Sequence, residues 1–145
     1  MEKLVAVFGI GMVDELRIAL FGVKHRDPVM RTLIFTDQRA VFAVTATPDD
    51  VDPSIKRHTP EYEAALIRVS RERASSEAQN GAIDSLPEAF SISYADVKKI
   101  TTGSLILPKL EIERRDKRIF RFTPVSKQGF EEELDTVRKA VPDKF

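Results

Sequence analysis

At 145 residues, the chain has the length of one domain that can bury a core without metals or cross-links. Its 23 Lys and Arg balance 23 Asp and Glu, which excludes the overall positive field of a dedicated nucleic-acid binder. With no cysteine and only the isolated His25 and His58, it offers no disulfide, no thiolate metal site, no cysteine nucleophile and no zinc ligand set.

The first segment, Leu4–Val13, is apolar but only half the roughly 20 residues that span a bilayer, and Asp14, Glu15 and Arg17 interrupt it. Lys3 is the only early base and no small-x-small cleavage site follows, so the segment reads as core of a cytoplasmic protein rather than as a signal or anchor. Gly9-Ile10-Gly11 has the spacing that opens a dinucleotide-binding turn. The third glycine is missing, however, and Asp14 would repel a pyrophosphate, so a bend at glycine is the better reading.

A strand is expected around Arg17–Lys24, followed by the basic loop Lys24-His25-Arg26-Asp27-Pro28. Arg31–Ala46 then reads as a hairpin: two arms rich in β-branched and aromatic residues around Thr36-Asp37-Gln38-Arg39, with Asp37 expected to start the turn by accepting from an amide two residues on. Leu33-Ile34-Phe35 and Ala40–Val44 are apolar in succession. Such strands are covered on both faces, so another element must pack over this hairpin.

Thr47–Ser54 has the composition of a surface loop, and Thr59-Pro60-Glu61 is a helix start with Thr59 as N-cap. Tyr62, Leu66 and Val69 mark one apolar face, and Arg73 and Glu77 are placed to pair on the outside. The stripe fades after Val69, and Ser75–Pro87, with Asn80-Gly81 as a stop, reads as a loop. Strand character returns at Phe90–Tyr94, then over Leu105–Leu107 into Leu110–Glu113 as one long strand. A turn at Asp116-Lys117 leads into a strand through Phe120 and Phe122 that ends at Thr123-Pro124. The last element is an amphipathic helix capped by Ser126 and stopped by Pro142, with Phe130, Leu134, Val137 and Val141 on one stripe.

In this order the chain resembles the pleckstrin-homology-like superfold, in particular its GRAM and bacterial PH branches. Members carry Leu-x-x-Thr-x-x-Arg at a hairpin turn, matched by Leu33, Thr36 and Arg39, and an aromatic before an Asp/Glu-x-Ile-type step, matched by Tyr94, Asp96, Val97 and Ile100. The resemblance covers about 16–46 and 90–141 and leaves about 47–89 as a helical insertion that ordinary members lack. It implies a bent antiparallel sheet or split barrel closed by the C-terminal helix; with the length of the chain and the inserted surface helix, the reading is a single α+β domain over 1–145. It implies no catalysis, since a superfold hosts many functions; no cofactor is expected.

The candidate sites follow. Lys24, Arg26 and Arg31 could hold phosphate oxygens of an anionic lipid headgroup, against the commoner explanation of a solvated basic loop. Arg114, Arg115, Lys117 and Arg118 form a second basic cluster that reads as a solvated hairpin tip. Tyr62, Leu66 and Val69 on the inserted helix are the candidate partner surface. No catalytic or metal set is visible and no nucleic-acid partner is expected. The leading expectation is a non-catalytic module that binds a protein partner or assembles with itself, and removal of 53–87 is expected to leave a folded domain. The alternative is a binder of anionic membrane surfaces.

Overall fold

The computed structural model describes residues 2–19, 22–25, 29–103 and 108–145, with the side chains of 17–25 and 29 outside the description. The protein is α+β: an open antiparallel sheet and two α-helices, one of them C-terminal. The strands are β1 (Leu4–Ala19), β2 (Gly22–His25), β3 (Val29–Thr36), β4 (Arg39–Ala43), β5 (Phe90–Ser93), β6 (Val97–Thr102), β7 (Leu110–Arg114) and β8 (Ile119–Pro124). Helix α1 spans Pro60–Gln79 and α2 Phe130–Ala140. Seven strands follow the path β5-β4-β3-β1-β8-β7-β6, and β2 pairs only with the far end of β1.

That path forces the sheet to bend. Laid flat, β5 and β6 would stand six spacings of ~4.8 Å apart, about 29 Å. Yet a single 3-10 turn, Tyr94–Asp96, joins them, and a link of that length reaches no more than about 14 Å. The sheet's two ends therefore meet at this corner. β1 belongs to both halves, pairing with β3 from Leu4 to Val13 and with β8 from Gly11 to Leu16. A bulge lies in the β1–β3 register between Val7 and Ile10, where Gly9 takes φ +72°.

The concave side holds the main core. Phe8 meets Phe35, Phe122 and Phe130 edge-on, at centroid distances of 5.6, 6.2 and 5.4 Å. Phe130 comes from α2, whose Leu134, Val137 and Val141 enter the same cluster as the sequence spacing predicts. A second aromatic group, Phe42, Phe90 and Phe120, fills the part of the core away from Phe130.

On the convex side lies α1. Its Ala74 and Ala78, with Ile83 and Leu86 after it, cover Val7, Ile34, Val41 and Ala43; its Tyr62, Ala65 and Leu66 pack with Ala46, Val51 and Ile10. The hairpin Arg31–Ala46 is thus covered on both faces, which is why its apolar residues run in succession.

Several local expectations are corrected. Arg17–Lys24 is not one strand: Arg17–Ala19 end β1 and Gly22–His25 pair back on it as β2. Helix α1 continues through Ser75–Gln79, because alanines and Ser70 extend its buried face where large apolar residues stop. Arg73 bonds to Asp50 and to the Thr45 carbonyl rather than to Glu77. β7 starts at Leu110, and Leu105–Leu107 fall outside the described residues. The cap of α2 is Gly129, at φ +73°, while Ser126 accepts from the Gln128 amide in the preceding turn.

Candidate functional site

Thr36 and Arg39, the polar residues of the hairpin signature, organise the fold around themselves. The Thr36 hydroxyl donates to Glu2 (2.6 Å) and accepts from the amides of Gln38 and Arg39 (both 3.1 Å), so Thr36 rather than Asp37 builds the turn. The Asp37 carboxylate instead accepts from the Lys3 amide (2.9 Å). Arg39 donates through Nε and Nη2 to Glu2 (2.9 and 3.0 Å), through Nη1 and Nη2 to Asp84 (2.6 and 3.2 Å) and through Nη1 to Ser91 (3.2 Å). All five of its N–H donors are in use. The guanidinium holds the Glu2 and Asp84 carboxyls below the ordinary carboxylate range, and both raise the Arg39 pKa in return. Tyr94 completes the network by donating to the Thr36 carbonyl, with burial pushing its phenol pKa up.

The basic groups are largely engaged as well. Arg118 donates to Glu15 (2.7 Å), a carboxylate on a residue only 8% exposed, and lies over the Phe120 ring at 5.2 Å. Glu15 raises the Arg118 pKa. Arg115 bonds to the Ala95 carbonyl (2.9 Å) and Arg114 pairs with Asp116 (3.3 Å). Of the three residues expected to take an anion, Arg31 is half-buried, its guanidinium 5.2 Å over Phe90 and its Nε donating to the Glu88 carbonyl (3.3 Å). Arg26 and the Lys24 side chain lie outside the described residues.

Tyr62 and Leu66 are each 8% exposed and Val69 is half-buried beside them, so the stripe expected to face a partner is turned onto Ala46 and Val51 of the same chain. The Gly-x-Gly has a packing explanation. A Cβ at Gly11 would stand 2.5 Å from the Phe122 ring and 2.6 Å from the Thr123 carbonyl, and one at Gly9 2.9 Å from Ile67 of α1. His58 is exposed. Among the described residues no His, Asp and Glu groups gather as a metal would require, and no helix is long and apolar enough to cross a membrane.

Beside the area that α1 covers, the convex face carries an exposed apolar strip that the sequence pattern did not single out. Met12 is 44% exposed and Met30, its direct partner across β1 and β3, 47%. Val125, 51% exposed, donates its amide to the Ile10 carbonyl (3.1 Å) and so extends β8 beside the same stretch of β1. The neighbours of Met12 in sequence, Gly11 and Val13, point the other way, into the core. The one available signal was a methionine at matched register on each arm of the β1–β3 pairing. Comparison with protein-family models and with curated proteins finds no match to the chain.

Proposed function

We propose that the chain is a non-catalytic interaction module of pleckstrin-homology-like fold that assembles with itself through the Met12–Met30–Val125 strip. The observation that carries this reading is the strip: three large apolar side chains, each about half exposed, close together on the sheet face that α1 covers over parts of β1, β3 and β4. Exposed apolar clusters on a sheet mark association surfaces more often than chance. A formal net charge of zero at neutral pH removes long-range repulsion between copies, which favours a second copy as the occupant. The fold reading is supported by the shared long strand β1, the tight corner between the end strands, the helix α2 packed into the core, and the Thr36–Arg39 turn. On that reading α1 and the segments flanking it are the inserted element. Sedimentation velocity over a range of concentrations tests the assembly. A mass that rises with concentration, and stays monomeric in Met12→Lys/Met30→Lys, is expected; a monomer throughout for the unaltered chain refutes it.

The second reading, an anionic lipid headgroup held by Lys24, Arg26 and Arg31, is favoured by one observation. Arg31 uses only Nε in a hydrogen bond among the described residues, which leaves its Nη groups for an anion. Sedimentation with vesicles containing phosphatidylserine decides it: this reading predicts salt-sensitive binding that Arg31→Glu weakens, and it fails if charge reversal changes nothing.

A further inference from the structure

We infer that the loop between β4 and α1 binds a small zwitterion with an apolar side group, a ligand of the free amino-acid class. A cleft of ≈ 380 Å³ opens between this loop and the start of α1, within the size range of small-molecule sites. Val51, Ile55 and Tyr62 give it an apolar wall, and Asp49, Asp52, Lys56 and Arg57 bring charges of both signs to it. These charges are not consumed by the fold. Asp49 and the side chains of Lys56 and Arg57 make no ion pair or hydrogen bond among the described residues, and Asp52 is engaged by Ser54 alone, accepting from its amide (2.9 Å). Asp50 is the contrast: Arg73 (3.1 Å) and the Thr47 amide (2.9 Å) hold it, and it anchors the loop to α1.

The second observation is Tyr62. The residue lines the cleft, and its hydroxyl makes no hydrogen bond among the described residues and is not enclosed by protein, which leaves it open to a ligand there. A ligand carboxylate would take Lys56, Arg57 and this hydroxyl, while an ammonium would take Asp49 and Asp52. A simple anion would meet two uncompensated carboxylates, and a neutral apolar ligand would desolvate four charges for no bond.

An amide NMR titration of the full chain with L-leucine and L-phenylalanine tests this, with leucine amide and N-acetylleucine as probes that each lack one charge. Shifts confined to 48–57 and the first turn of α1 are expected, with a Kd on the order of 1 mM for the two amino acids and about tenfold weaker binding of each blocked probe. Lys56→Glu/Arg57→Glu, at exposed positions, should abolish the response, and Tyr62→Phe should weaken it severalfold with the rest of the spectrum unchanged. No shift with either amino acid, or equal shifts from blocked and unblocked leucine, overturns the inference.

Discussion

Arg39 joins four separate stretches of chain: the start of β1 through Glu2, its own hairpin, the turn after α1 through Asp84, and β5 through Ser91. Replacing it with methionine removes the partner of two carboxylates, one of them, Glu2, half-buried. We expect a loss of about 2 kcal/mol in chemical denaturation, with Arg39→Lys recovering little because an ammonium cannot reproduce the fork. The pH dependence has a definite sign. Glu2 and Asp84 have lowered pKa values in the folded chain, so their contribution is complete above the ordinary carboxylate range and is lost as pH falls through the folded values. Stability should therefore drop below about pH 4, and Arg39→Met should flatten that acid limb in a pH series of melting curves. Gly11 is the other fixed point. A methyl group there collides with the Phe122 ring and a backbone carbonyl, so Gly11→Ala should cost about 2 kcal/mol or more. Gly81, at φ +66° with open space around it, should lose only about 1 kcal/mol from backbone strain on the same change.

Among the elements, α1 is where sequence and structure diverge most. Its first turns are legible, since Thr59 caps it and accepts from the Tyr62 amide as the Thr-Pro-Glu start predicts. Its second half is not, because Ala74 and Ala78 bury fully without looking apolar in a periodic pattern. The consequence concerns the whole convex face. Val7, Ile34, Val41 and Ala43 are buried under the helix and the turn that follows it. Excising 53–87, which the sequence reading expects to leave a folded domain, would instead uncover them. We expect an insoluble or molten product, read from the loss of amide dispersion in solution. The hairpin and α2 were legible for the complementary reason: large β-branched and aromatic residues, in unbroken runs in the one and at intervals of four and three in the other, announce their buried faces directly. β6 was missed because Val97-Lys98-Lys99-Ile100 buries two residues and exposes the pair between them, which matches neither period; a register shift between Val97 and Lys99 explains the pattern.

For the molecule as a whole, the strongest polar groupings suggested by the sequence are turned to structural use. Thr36 and Arg39 bind each other's turn and their own chain, and Arg118 is held by Glu15. The candidate association surface was hidden in the sequence because exposure is not a property of Met12 or Val125 alone; it depends on where α1 stops covering β1, at Ile10. On the proposed reading, opposed methionines exposed on a chain of zero formal net charge would give an apolar, adaptable contact for a second copy. Sedimentation velocity of the unaltered chain beside Met12→Lys/Met30→Lys tests this most directly. Self-assembly predicts a concentration-dependent mass for the former and a folded monomer for the latter; a single monomer boundary for both at every concentration would contradict it.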